Sequence, residues 1–125
     1  MASPQLPDSL TASRDGAVAI LKLTRAHKRN ALDDDTIEGM RRYFTTLDAD
    51  VKAVVLAGEG PHFCAGLDLS EVVDQTSLLA GVMHSQMWHR AFNEIQFGRV
   101  PVVSALYGAV VGGGLELAAA THIRV

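Results

Sequence analysis

The sequence predicts an α/β fold, and three observations carry that expectation. Two stretches of apolar alternation flank Asp15-Gly16, as the strands of a hairpin do. Further on, apolar residues recur at helical spacing around Ile37 and again around Phe92. Between and after these segments stand two short, almost wholly apolar runs, "AVVLAG" and "PVVSAL", with the length and β-branched content of buried strands.

Taken in order, "LTASRDGAVAILKL" supplies the hairpin. A helix follows, because Ile37, Met40, Phe44 and Leu47 fall on one face and the run Asp33, Asp34, Asp35 offers an N-cap and negative charge where the helix dipole favours it. The run 53–58 is a strand ending in glycine, and the polar, glycine-punctuated "GEGPHFCAGLDLSE" is a loop. Residues 78–96 predict a second long helix with Leu78, Val82, Met83, Phe92 and Ile95 on its inner face, and its methionines and Trp88 read as core packing. The run "PVVSAL" is another strand, from which "YGAVVGGGLELAAA" turns into a third helix.

Composition narrows the possibilities. A chain of 125 residues, 48% hydrophobic and 20% charged, suits one globular domain, and no repeat or Ser/Gly/Pro-rich linker divides 1–125. A formal charge of -3 provides no basic field, so neither nucleic acid nor an anionic membrane is an expected partner. The segment 100–120 reaches the roughly 20 residues needed to span a bilayer. Pro101, three adjacent glycines and Glu116 within it speak against insertion. One cysteine and the absence of a basic or apolar leader in "MASPQLPDSL" fit a cytoplasmic location. The closing "THIRV", apolar and without a cap or polar tail, reads as the edge of a truncated domain.

Several chemistries find no motif. No G-x-G-x-x-G or P-loop is present, and the histidines (His27, His62, His84, His89, His122) show no metal-ligand spacing, so no metal is expected. Cys64 sits in an apolar context and reads as a small buried hydrophobe.

The stretch "GGGLELAAA" is different. The first N–H groups of a helix lack intrahelical partners and carry partial positive charge, so they attract a developing anion. Glycines let an oxygen approach without a Cβ in the way. Glu116 falls in the first turn, and an oxyanion binder beside a proton acceptor is the minimum equipment for chemistry next to a carbonyl. The residues alone leave a second reading open, in which the glycines make a tight turn and Glu116 is a first-turn carboxylate.

Together, "RAHKRNALDDDTI", "VVLAGEGPHFCAGLDLSE" and "PVVSALYGAVVGGGLELAAATHIRV" resemble, in order and spacing, the N-terminal signatures of the enoyl-CoA hydratase/isomerase, or crotonase, family. The resemblance covers essentially all of 16–125. It implies a crotonase-like spiral of repeated ββα units, of which 1–125 would be the N-terminal part of a single domain lacking the C-terminal helices. It also implies an acyl-CoA thioester substrate, no separate cofactor because coenzyme A is part of the substrate, and a homotrimer or homohexamer when full-length.

The resemblance further assigns roles. The backbone N–H groups of Leu67 and Gly113 would bind the thioester oxygen, and Glu116 would be the catalytic carboxylate. Ala65, Gly66, Asp68 and Leu69 would belong to the loop that holds CoA through backbone contacts. His27, Lys28 and Arg29 would lie near its phosphates, although the family's usual proline after Arg25 is Ala26 here. Hydration of a 2-enoyl-CoA is the first reading. Isomerisation, another family reaction or non-catalytic acyl-CoA binding remain alternatives, because the second hydratase carboxylate would lie beyond Val125.

Overall fold

The computed structural model describes residues 5–72 and 77–125. Its framework is a five-stranded sheet in the order β1-β2-β3-β4-β5. The hairpin forms as the alternation predicts: β1 (Leu10–Asp15) runs antiparallel to β2 (Val18–Leu23), with Leu10 opposite Leu23 and Asp15 opposite Val18. A 3-10 turn at Ala26–Lys28 then leads to α1 (Asp34–Thr45). The cap is Asp33, whose carboxylate accepts the Thr36 N–H at 2.9 Å, while Asp34 and Asp35 occupy the first turn. Ile37, Met40 and Phe44 are buried as the spacing requires. The expected helix overshoots by two residues, since Leu47 lies beyond Thr45 yet still packs against the core.

The chain returns as β3 (Ala53–Gly58), parallel to β2. Its buried positions alternate: Val54 and Leu56 are fully enclosed while Ala53, Val55 and Ala57 are half-covered. A short α2 (Leu69–Val72), too brief to show a periodicity in sequence, precedes α3 (Leu78–Gln96), capped by the Ser77 hydroxyl accepting the Ala80 N–H at 3.0 Å. The bounds of α3 match the expectation, but its inner face does not. Trp88, Ala91 and Ile95 are buried, with Met87 and Phe92 packed beside them, whereas Leu78, Val82 and Met83 face outward. The opening "LLAGVM" is apolar all round, so periodicity could not choose its face.

From α3 the chain enters β4 (Val102–Ser104), parallel to β3, and then α4 (Gly113–Ala120). The closing "THIRV" contributes β5 (Ile123–Arg124), parallel to β4, and the Val125 N–H donates to the Ser104 carbonyl at 3.0 Å. Leu21, Val54, Leu56 and Val102 from the strands meet Ile37, Met40, Ile95 and Leu117 from the helices in one core. Each such enclosed side chain contributes roughly 1.5–3 kcal/mol of transfer free energy. The segment 100–120 is thus a strand, a loop and a short helix, and no helix among the described residues is long and apolar enough to cross a membrane.

Candidate functional site

The site grows from two isolated parallel bridges. In the first, the Cys64 N–H donates to the Ala109 carbonyl at 3.0 Å and the Val111 N–H donates to the Cys64 carbonyl at 3.2 Å. In the second, Leu67 stands opposite Leu32, with the Leu32 N–H on the Gly66 carbonyl at 2.7 Å and the Asp68 N–H on the Leu32 carbonyl at 2.8 Å. Those bonds use the neighbours of Leu67, so its own N–H faces away from Leu32. Gly66 makes the turn possible at φ +110°, and a Cβ there would sit 2.9 Å from the Val111 carbonyl oxygen.

This loop presses directly on the start of α4. A Cβ at Gly113 would lie 3.4 Å from the Leu67 nitrogen and 2.8 Å from Trp88 Cζ3, and one at Gly114 would lie 2.3 Å from the Cys64 carbonyl oxygen. The adjacent glycines therefore let two backbone segments touch. In the first turn of α4, the Gly114 N–H donates to the Val111 carbonyl and the Glu116 N–H to the Gly112 carbonyl. Among the described residues, neither the Leu67 nor the Gly113 N–H has a protein acceptor. Two unclaimed donors thus stand side by side at a helix N-terminus.

Leu67, Gly113 and the exposed Glu116 line one cleft of about 290 Å³. Its opposite wall is α3, which presents His84, Ser85, Trp88 and His89. His84 Nε2 lies 2.7 Å from Asp34 Oδ1 on α1. Trp88 is buried, and its Nε1 has no acceptor among the described residues.

A polar scaffold that the sequence did not disclose fixes the donor loop. The Arg25 guanidinium reaches Asp68 Oδ2 at 3.0 Å and Asp33 Oδ2 at 3.2 Å, and it also donates to the Ala31 carbonyl at 2.9 Å. Asp68 Oδ1 accepts from the Ser70 hydroxyl at 2.7 Å and from the Ser70 N–H at 3.0 Å. These Ser70 bonds first, and the Arg25 guanidinium after them, hold the Asp68 carboxyl down at about 2. Asn30, buried in a left-handed conformation at φ 58°, accepts the Arg25 N–H and donates to the Glu59 and His62 carbonyls. Arg25 and Asp68 lie far apart in sequence, and no spacing rule pairs them.

The remaining expected residues fall as follows. His27, Lys28 and Arg29 are exposed, and the Ala65 N–H donates to the Arg29 carbonyl at 2.9 Å, which joins the basic run to the loop of Ala65, Gly66, Asp68 and Leu69. Leu69 is exposed at the head of α2. Cys64 is enclosed, and burial pushes its thiol up to about 11, unsuited to a nucleophile at neutral pH. No group of three or more His, Cys, Asp or Glu among the described residues is placed to hold a metal ion.

The α/β framework thus brings to one cleft a carboxylate and two amides that have no protein acceptor among the described residues. Comparison with known proteins gives the family: the chain matches the enoyl-CoA hydratase/isomerase family over residues 13–125 and belongs to it. It is 31% identical, over 90% of its length, to a short-chain-enoyl-CoA hydratase of Clostridium acetobutylicum, of which it covers 44%. A Rhodopseudomonas palustris structure assigned as an enoyl-CoA hydratase superposes at a TM-score of 0.90 with 47% identity, covering 96% of this chain and 47% of that one. A Thermobifida fusca protein assigned likewise, solved in complex with acetoacetyl-CoA, matches at a TM-score of 0.82 with 29% identity, covering 93% of this chain and 49% of that one. The chain therefore spans about half the length of these relatives.

Proposed function

We propose that this chain forms the thioester-binding half of an acyl-CoA site, in which the Leu67 and Gly113 N–H groups hold the thioester oxygen and Glu116 moves a proton beside it. The observation that carries the reading is the pair of amides, adjacent and unclaimed, on the cleft that Glu116 also lines. When a nucleophile adds at Cβ or a proton leaves Cα, negative charge develops on the thioester oxygen. Donors already fixed in place stabilise it without reorganising, at roughly 10²–10³ in rate for each. The exposed run His27, Lys28 and Arg29 beside the donor loop supplies charge for the CoA phosphates.

Hydration of a 2-enoyl-CoA is the reaction we assign first, in keeping with the relatives' names. Isomerisation of the double bond uses the same oxyanion and the same Glu116, and it is the alternative within the family. Coenzyme A enters as part of the substrate. Calorimetry on the intact protein with a matched acyl-CoA and free carboxylic acid tests the reading: the thioester is expected to bind and the acid to bind far more weakly. Equal binding of the two, or none, would overturn it.

A further inference from the structure

One guanidinium straddles the bridge that sets the Leu67 amide. Arg25 donates to the Ala31 carbonyl at 2.9 Å and reaches Asp33 Oδ2 at 3.2 Å, so it holds the residue on either side of Leu32. From the same group it donates at 3.0 Å to Asp68 Oδ2, on the residue that follows Leu67. Its own backbone is anchored, because the Arg25 N–H donates to Asn30 Oδ1 and the Arg25 carbonyl accepts the Lys28 and Asn30 N–H groups. Behind it, Asp33 Oδ1 accepts from the Thr36 hydroxyl, which meets the Ser9 hydroxyl at 2.6 Å, and both Thr36 and Ser9 are buried.

We infer that Arg25 is a positioning residue, which sets the direction of the Leu67 N–H by clamping both sides of the bridge between Leu32 and Leu67. This rests on the acyl-CoA reading above. Arg25 does not line the cleft, so it acts through Asp68 and the Leu32 segment. Two backbone bonds at an isolated bridge fix the separation of the segments but leave them free to tilt, whereas a rigid planar fork with three partners fixes the angle as well. The angle matters because a hydrogen bond weakens steeply as its N–H turns away from the acceptor. The Gly113 amide is seated otherwise, by the packing of α4 against Trp88 and Cys64, with no partner of Arg25 among them. Loss of the fork should therefore disturb one donor and spare the other.

The test compares Arg25→Lys with the parent, as isotope-labelled intact proteins titrated with butanoyl-CoA. Lysine keeps the positive charge between Asp33 and Asp68, whose carboxylates would otherwise face each other without a counter-charge, but its single ammonium cannot span the three partners. In the parent, both the Leu67 and the Gly113 amide resonances are expected to move downfield on binding. In Arg25→Lys the Leu67 displacement should shrink by about half or more while that of Gly113 stays, and affinity should fall less than about 10-fold, the worth of one hydrogen bond. Arg99→Lys is the structural control. Its guanidinium likewise holds two carbonyls, those of Val51 and Asp48, away from the cleft, so both displacements should match the parent's. Should Arg25→Lys not fold, Asp68→Asn carries the same measurement, since it keeps the shape of the side chain and removes the charge that the fork grips. Displacements equal to the parent's in the folded variant, or a loss shared equally by Leu67 and Gly113, overturn the inference and leave the thioester site standing. A parent that does not bind butanoyl-CoA, or binds it with neither amide moving, overturns the thioester site itself, and this inference with it.

Discussion

Replacing Gly114 by alanine tests whether the close seating of α4 on the donor loop builds the site. The added Cβ would start 2.3 Å from the Cys64 carbonyl oxygen, 2.9 Å from Cys64 Cβ and 3.0 Å from the Cys64 carbonyl carbon. Ordinary contacts begin above 3 Å, so the helix start and the loop must separate by at least about 0.7 Å. Two of the three atoms met are backbone, fixed by the bridge to Val110, and cannot swing aside. Overpacking of this kind costs about 1–3 kcal/mol, and the better helix propensity of alanine returns at most about 1 kcal/mol. A net loss of about 1–2 kcal/mol is expected in denaturant unfolding of the intact protein. The same separation moves the Gly113 amide from the Leu67 amide, so thioester affinity should fall with stability. Gly81→Ala in α3 is the control, because its Cβ would meet nothing within 4 Å. An alanine at 114 that melts no earlier than the parent and binds acyl-CoA unchanged would refute the reasoning.

Other outcomes follow from the same geometry. Glu116→Gln should leave folding within about 1 kcal/mol, the value of a first-turn charge, while turnover of an enoyl-CoA falls roughly 10²–10⁴-fold; normal turnover would make Glu116 structural. Gly81→Ala should raise stability by up to about 1 kcal/mol, read as a higher unfolding midpoint at unchanged slope. Because the Asp68 carboxyl is held at about 2 against an ordinary 3.8, its ionised form stabilises the fold above pH 4. That contribution, on the order of 2 kcal/mol at most, should disappear as pH falls from 4 towards 2, and Asp68→Asn should remove this part of the acid dependence.

Most elements were legible because local rules decide them. The hairpin at Asp15-Gly16, the Asp33 cap and both ends of α3 follow from turn chemistry, capping and apolar run length. The inner face of α3 was not legible, since Leu78 to Met83 offer apolar surface in every direction and only the tertiary fold selects Trp88, Ala91 and Ile95. The site divided in the same way. The glycine triplet and Glu116 announce themselves in one stretch, and the resemblance added Leu67. By contrast, Arg25 with Asp68, and His84 with Asp34, join residues from separate elements that no periodicity or motif spacing connects.

The most direct measurement is the amide chemical shift of Leu67 and Gly113 in the isotope-labelled intact protein, titrated with an acyl-CoA and, separately, with coenzyme A bearing a free thiol. If these two N–H groups hold the thioester oxygen, both resonances move downfield with the acyl-CoA and stay near their free positions with coenzyme A alone. Saturable binding of the acyl-CoA that moves neither amide beyond the effect of coenzyme A would contradict the account.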